Sequence, residues 1–310
     1  MKEHSNWTII LPCWQDPHLL SITLRGLIKH SHFRHKIHLI FSDPKAFADW
    51  PLGGDDLYNG HAYSPITLQP YQKYVNVQDF FNQNSQWLAD NNITIFDVTE
   101  KQYDWRVARR PFAPHPEDHM LGRIDIGWKC NFGLSTVETE HVVTYWEDDN
   151  YPSPDWDLAL WNATQRYDVN RHYFIPTQVV PYRMEQWGTV EELSKQDPWT
   201  MFRYINCNHI PFLYSRPGAI EGYQCRIMEQ DWLDYCQQTR AAGEYVEPAG
   251  QRRLTSAYPL LLKTDLARQV GYPEHWQKSP ELSFDEDCGK VSLLKVSIRD
   301  SLVAHKLWIC

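Results

Sequence analysis

The 310-residue chain lacks the marks of several large protein classes. It has no run of about 18 apolar residues, so no transmembrane helix is expected. Met1 to Asn6 is polar and leads straight into a strand-like run, without the apolar centre of a signal peptide. The seven cysteines, Cys13, Cys130, Cys207, Cys225, Cys236, Cys288 and Cys310, are scattered, odd in number and never paired as CxxC. Neither a zinc site nor a disulfide framework is suggested. Without an export signal, the Asn-x-Ser/Thr sequons at Asn6, Asn92 and Asn162 carry no weight, and a reducing, cytoplasmic location is expected. An excess of basic charge is missing too: 30 Lys and Arg face 39 Asp and Glu, for a net charge of −9. That balance argues against a protein held on nucleic acid mainly by phosphate contacts, although a local basic groove can coexist with an acidic body. There is no internal repeat, low-complexity linker, collagen-like or coiled-coil pattern.

What is present is a large apolar and aromatic fraction. Hydrophobic residues make up 42%, enough for a sizeable core, and there are 14 Trp and 17 Tyr. Broad aromatic faces suit sugar rings and nucleobases, but they also fill cores. Trp7 to Leu11 reads as a buried strand stopped by Pro12. Asp16-Pro17 opens a helix carrying Leu19, Leu20, Ile22, Leu24, Leu27 and Ile28 at helical spacing. Ile37 to Phe41 is a second buried strand. Strand, helix and strand within about forty residues favour a right-handed βαβ unit and a parallel sheet.

Further along, one helix is expected near Val77 to Asp90, a strand over Ile93 to Val98, an irregular basic loop over 100–118 and a helix over Leu121 to Val137. A fourth buried strand is expected over His141 to Trp146. The second half is less regular: a helix from Pro154 to Tyr167 capped by Ser153, a short strand over Tyr173 to Pro176, and an amphipathic helix over Gln224 to Ala242. A strand over Tyr258 to Leu262, a helix from Thr264 to Val270 and another from Glu286 to Leu294 complete the reading. His30, His32, His35 and His38 fit no common zinc spacing and read as surface residues.

The most informative segment is Val142-Val143-Thr144-Tyr145-Trp146-Glu147-Asp148-Asp149-Asn150-Tyr151-Pro152-Ser153-Pro154-Asp155-Trp156. A buried strand delivers three consecutive acids to its carboxyl end, the place where open α/β sheets bind ligands. Mutual repulsion of those carboxylates is relieved by a divalent cation. Mg²⁺ or Mn²⁺ held by one or two carboxylates, waters and substrate phosphates suits such a place. The bland alternative is a solvated acidic turn that caps the next helix.

In this segment the sequence resembles the GT-A glycosyltransferases, particularly the family 2-like group, with Glu147-Asp148-Asp149 as a variant of the DxD motif. The resemblance implies an α/β fold of GT-A type: a Rossmann-like, mostly parallel sheet flanked by helices, with an irregular acceptor-binding C-terminal half. Residues 1–150 would be the nucleotide-sugar-binding half and 151–310 the acceptor-binding and catalytic half of one domain. It implies that Asp149 binds Mn²⁺ or Mg²⁺, with Glu147 and Asp148 acting through water, the ribose or the sugar. Pro12 and Trp14, in Ile9-Ile10-Leu11-Pro12-Cys13-Trp14, would line the nucleotide pocket, and Asp43 would meet the nucleobase; as a bare sequence feature, Asp43 is equally a turn residue before Pro44. Trp128-Lys129-Cys130-Asn131-Phe132-Gly133 looks like the family's A-R-N-x-G helix. Lys129 would neutralise donor phosphate without the bidentate fork of Arg, and Asp125 would contact the nucleoside or orient Lys129. Asp125 and Lys129 are equally an ordinary i,i+4 pair.

Near the C-terminus, Tyr258 to Thr264 and Val270-Gly271-Tyr272 resemble the family's strand and v-G-g-f turn. Glu286-Asp287 then resembles its late Glu-Asp pair, with Asp287 as catalytic base; a positioned carboxylate is chemically suited to take a hydroxyl proton. The competing reading is charge at a helix N-terminus. His305 is a candidate third metal ligand. The expected activity is metal-dependent, inverting transfer from a nucleotide sugar, UDP- or GDP-linked, to an acceptor hydroxyl. The acceptor stays open among a saccharide, a lipid-linked group and a hydroxylated DNA base, for which Arg106, Arg109, Arg110, Arg252 and Arg253 would form a basic rim. Two other classes compete. A nucleotidyltransferase would need a glycine-rich loop after the first strand, where Pro12 to Asp16 has no glycine. A non-catalytic carbohydrate-binding or scaffold protein would suit the aromatic content.

Overall fold

The computed structural model describes residues 2–13, 17–42, 77–109, 120–144, 146–147, 150–182, 202–206, 225–227, 229–240, 243–249, 259–273, 280–305 and 307–309; within them some side chains, including those of Asp125 and His305, are outside the description. Among the described residues ten strands form one sheet in the order β3-β2-β1-β4-β10-β6-β11-β5, with β7 added on β6 and β9 on β11. The strands are β1 (His4–Pro12), β2 (Arg34–Phe41), β3 (Ile93–Asp97), β4 (His141–Thr144), β5 (Asn150–Pro152), β6 (His172–Tyr182), β7 (Phe202–Asn206), β9 (Glu244–Pro248), β10 (Leu260–Lys263) and β11 (Leu294–His305). Two more, β8 (Cys225–Ile227) and β12 (Leu307–Ile309), pair with each other.

β1 to β4 are mutually parallel. β10 is antiparallel to both β4 and β6, and β11 runs parallel to β6. β1 to β4, β6 and β11 therefore all point their carboxyl ends to one edge of the sheet. Helices cover both faces, which explains why the central strands are continuous apolar runs rather than alternating ones: from Trp7 to Pro12 every residue of β1 is buried. On one face lie α1 (Pro17–His30), α2 (Val77–Gln83), α3 (Ser85–Asp90) and α6 (Trp156–Thr164); Leu20, Leu24, Leu27, Phe80, Leu88, Trp156 and Leu160 form a core with Ile9, Leu11 and Val143. On the other lie α5 (Met120–Thr136), α8 (Thr264–Val270) and α9 (Pro280–Lys290); Ile126, Cys130, Leu134, Ala267 and Phe284 pack on Ile10, Val142 and Leu262. Two further helices are α4 (Thr99–Arg109) and α7 (Glu229–Thr239). No described helix is long and apolar enough to cross a membrane.

This is the mixed α/β class read from the sequence, but several local expectations change. The basic loop foreseen over 100–118 is helix α4 as far as Arg109. Asp97 starts it, its carboxylate accepting the Thr99 N–H at 2.9 Å, and residues 110–119 lie outside the description. The single helix over Val77 to Asp90 is two, broken at Asn84. Ser153 does not cap α6. Its hydroxyl instead accepts the Leu302 N–H at 3.1 Å, and Asp155 takes the cap position in the left-handed conformation, φ 54°, which Asp tolerates. In the second half, the short strand expected over Tyr173 to Pro176 is the 11-residue β6, and β11 has 12 residues. The helix expected over Glu286 to Leu294 lies earlier, over Pro280–Lys290, and Leu294 already begins β11. His30, His35 and His38 are buried rather than surface residues. His35, for example, is held between the Asp157 carboxylate (2.8 Å) and the Ser5 hydroxyl (2.7 Å).

Candidate functional site

The edge that collects the carboxyl ends of β1, β2 and β4 is where the sequence placed its site. β1 ends at Pro12, and the next N–H, that of Cys13, still donates to the Ile40 carbonyl of β2 at 3.0 Å. Beyond β4, the Trp146 N–H donates to the Ile10 carbonyl at 3.1 Å, so β4 stays pinned to β1 up to the residue before Glu147. The chain then folds back: the Asn150 N–H donates to the Glu147 carbonyl at 3.2 Å, and β5 leaves antiparallel to the end of β11. In that ladder Asn150 stands opposite His305, Tyr151 opposite Ala304 and Pro152 opposite Val303. Residues separated by some 155 positions in sequence are thereby brought together at the acidic turn.

Helix α5 supplies the cation. Gly133 lets α5 lie close on β1, since a Cβ there would stand 2.6 Å from Ile10 Cγ2. One turn earlier, the buried ammonium of Lys129 donates to the Cys13 carbonyl at 3.0 Å. Lys129 thus sits against Cys13, the residue that follows β1. Asn131, in the same motif, does structural work. Its carboxamide accepts the Tyr272 N–H at 2.7 Å and donates to the Tyr272 carbonyl at 2.8 Å. It therefore clamps the Gly271-Tyr272 turn, where Gly271 has φ 65°, a value that suits glycine. Tyr272 in turn stacks on Phe284 and hydrogen-bonds Thr144 at the end of β4. Two motifs singled out separately in the sequence, at 128–133 and 270–272, are one assembly beneath the site.

Of the sequence candidates, Pro12, Lys129 and the half-buried Glu147 meet at this edge, and the backbone of His305 reaches it through β11. Asp125 lies on α5 one turn before Lys129, its side chain outside the description. Trp14, Asp43, Asp148 and Asp149 lie outside the described residues, as do Arg110, Arg252 and Arg253. Among the described residues no group of three His, Cys, Asp or Glu side chains forms a metal-binding cluster.

Glu286 and Asp287 are not brought to this edge. α9 runs toward the start of β11: the Val291 N–H donates to the Asp287 carbonyl, and the Leu294 N–H to the Arg171 carbonyl, one residue before β6 begins. Both residues thus lie by the amino-terminal ends of β6 and β11, and Asp287 is ion-paired with Lys290. Their neighbour Asp285 is buried, accepts the Tyr173 hydroxyl and lies 3.7 Å from the buried Lys295, which pairs with Glu247 at 2.8 Å. Phe284 and Asp285 therefore anchor α9 to the sheet.

Asn150 was not singled out in the sequence. It is fully buried, and neither Oδ1 nor Nδ2 has a hydrogen-bond partner among the described residues. Only its position directly after three acids could have drawn attention to it.

No protein-family model matches the chain, and no curated protein matches it. Among solved structures, it is similar to GalNAc-T7 crystallised with UDP, GalNAc and Mn²⁺: TM-score 0.49, 8% identity, covering 97% of this chain and 44% of that one. It is also similar to a 1–349 form of TarS from S. aureus, with TM-score 0.48, 10% identity, and 98% of this chain aligned to 60% of that one. A longer TarS gives TM-score 0.47 at 10% identity over 36% of its length. The chain spans less than two thirds of each of these proteins. The fold class itself stands on the strand order and directions given above.

Proposed function

We propose that the chain is a glycosyltransferase that moves a sugar from a nucleotide-sugar donor to an acceptor hydroxyl with the help of Mn²⁺ or Mg²⁺. One observation carries the reading. The turn entered at Glu147 leaves β4 at the same edge where α5 holds the Lys129 ammonium against the β1 turn. A negative and a positive group thus stand together at the carboxyl ends of parallel strands, the general place for ligands in open α/β sheets. A nucleoside diphosphate bridged to protein by a cation matches that arrangement.

Asp149 and His305 would hold the cation, and Glu147 and Asp148 would act through water, the ribose or the sugar. Carboxylate oxygens and one imidazole are a donor set that Mn²⁺ accepts readily, and the pairing of His305 with Asn150 in the β5–β11 ladder supports including it. When bound, the cation would offset charge on the departing diphosphate. Lys129 would add to that from the protein side, Pro12 and Trp14 would border the nucleotide, and Asp43 and Asp125 would contact the nucleoside. In the transfer, a bond forms between the acceptor oxygen and the anomeric carbon as the carbon–oxygen bond to the diphosphate breaks. The electron pair leaves with the nucleoside diphosphate and the acceptor proton is released. Inversion is part of this reading through the family resemblance alone, and NMR of the product's anomeric configuration checks it.

The test is a set of thermal melts with UDP, GDP, UDP-glucose, UDP-N-acetylglucosamine and GDP-mannose, each with and without Mn²⁺. A ligand at 100 times its Kd adds about 2.7 kcal/mol, a shift of a few degrees for a chain of this size. The expected result is a Mn²⁺-dependent shift for one nucleotide class, lost in Asp149→Ala. No shift with any of them removes the donor site and with it the reading.

A further inference from the structure

Asn150 is buried, with its backbone satisfied and, among the described residues, its side chain not. Its N–H donates to the Glu147 carbonyl and its carbonyl accepts the Thr23 hydroxyl at 3.1 Å. The carboxamide, 0% exposed, has neither its donor nor its acceptor paired among the described residues. Leaving such a group unpaired costs about 1–3 kcal/mol, and most buried polar side chains in folded proteins avoid that cost. The neighbouring residues do avoid it: the Tyr151 hydroxyl donates to Glu229 at 2.7 Å, and the Ser153 hydroxyl accepts from Leu302. Alternation along β5 directs Asn150 to the face opposite Tyr151, away from the cluster of His30, Tyr151 and Glu229 beside α1 and α7. Among the described residues His141 also has two unpartnered ring nitrogens, but it lies where β4 begins, at the other edge of the sheet.

We propose that the Asn150 carboxamide reads a vicinal diol of the nucleotide-sugar donor; this rests on the donor site proposed above. The argument is one of complementarity. A cation would take Oδ1 and leave Nδ2 unpaired, whereas a phosphate would take Nδ2 and leave Oδ1. Two adjacent hydroxyls satisfy both, one donating to Oδ1 and the other accepting from Nδ2. The ribose and the transferred hexose both present such a diol. Asn150 directly follows the three acids on the strand that leads away from them, so it is a specificity-determining residue rather than a metal ligand.

The experiment compares wild type with Asn150→Leu, which keeps the branching and the number of side-chain heavy atoms without polar atoms, and Asn150→Ala. Melting temperatures without ligand are paired with titration calorimetry of UDP and UDP-glucose in Mn²⁺. An apolar residue in place of an unpaired buried amide is neutral or stabilising, so Asn150→Leu should melt at or above the wild-type temperature. It should also bind UDP-glucose at least about tenfold more weakly, the loss of one good hydrogen-bonded pair. Equal losses for UDP and UDP-glucose identify the ribose; a loss confined to UDP-glucose identifies the hexose. Wild-type affinity in both variants overturns the proposal and leaves the donor site standing. A clear fall in ligand-free melting temperature in both variants overturns it as well, since the amide then holds the fold. Absence of nucleotide binding in wild type sinks the donor reading and this one together.

Discussion

His38 gives the sharpest prediction of pH dependence. It lies on β2 with its side chain buried. Nδ1 is 2.9 Å from the Thr136 hydroxyl, and the ring is 5.0 Å from that of Phe96. Thr136 already donates its own proton to the Gly133 carbonyl, so Nδ1 is the donor. Burial, seconded by the charge of Lys36 against a smaller opposing effect of Glu138, lowers the pKa from 6.5 to about 4. A folded-state pKa below the unfolded one means that the unfolded chain binds the proton first on acidification. Stability is therefore fully present above pH 6.5 and is lost as pH falls toward 4. Between pH 7.5 and 5.0 that linkage amounts to about 2 kcal/mol for this one group. Asn at position 38 can still donate to Thr136 but does not titrate. Urea unfolding at the two pH values, for wild type and His38→Asn, isolates the effect. His30 and His141, whose pKa values burial also lowers, are common to both proteins and cancel in the difference. The variant should be less stable at pH 7.5, having lost the ring packing, yet should lose about 2 kcal/mol less than wild type on going to pH 5.0. Equal losses in the two proteins would refute the assignment of a buried neutral ring.

Three further outcomes follow from single contacts. Glu229, the first residue of α7, accepts from Lys29 (2.6 Å), Tyr151 (2.7 Å) and His30 (3.0 Å). Burial alone would raise its pKa, but the three donors outweigh it and bring the value down to about 2. Its contribution is thus present above pH 4.5 and lost as pH falls toward 2, and Glu229→Gln should cost about 1 kcal/mol at pH 7 in urea unfolding, modest because the group is part-exposed. Gly133→Ala gains about 1 kcal/mol of helix propensity but sets a Cβ against Ile10; overpacking of about 1–3 kcal/mol should lower the melting temperature, and Ile10→Val should restore part of it. Asp287→Asn should leave melting temperature and sugar transfer unchanged, because its helix ends at the far edge of the sheet; loss of transfer with intact donor binding would return the base to Asp287.

The first half of the sheet was legible because its strands are buried on both faces and read as unbroken apolar runs: Ile37 to Phe41 and Val142 to Val143 announce themselves. α4 was not, because Thr-Glu-Lys-Gln-Tyr-Asp-Trp-Arg is so polar on average that its few apolar residues do not announce a buried face. β11 was missed for a different reason. Lys295, Ser297 and Ser301 interrupt its apolar pattern, yet all three are buried, Lys295 because Glu247 on β9 neutralises it. Burial of a polar residue by a partner far along the chain leaves no local signature. The same holds for His35, whose spacing beside His30, His32 and His38 suggested surface until Asp157 was seen to hold it. In the candidate site, the likeness around Lys129 was readable because Gly133 marks a close approach of helix and strand. The misplacement of Asp287 came from reading Glu286-Asp287 as a helix start when the helix starts at Pro280.

The site also bears on how the chain is divided. Order along the chain separates 1–150 from 151–310, but hydrogen bonding does not. β10 pairs with β4 over four residues, from Leu260 opposite Thr144 to Lys263 opposite His141. The strand that delivers Glu147 is therefore flanked on one side by β1 and on the other by the second half. The segment that leaves the acids, β5, is paired only with β11 among the described strands. Asn131 on α5 is engaged by the Tyr272 backbone. Residues 1–150 alone would leave β4 as an edge strand with open hydrogen-bonding groups, would cut β5 after its first residue, and would leave the Asn131 amide without the Tyr272 backbone. The nucleotide-binding half proposed here is thus a half in sequence only: the geometry that would hold a donor is completed by residues 260 to 305.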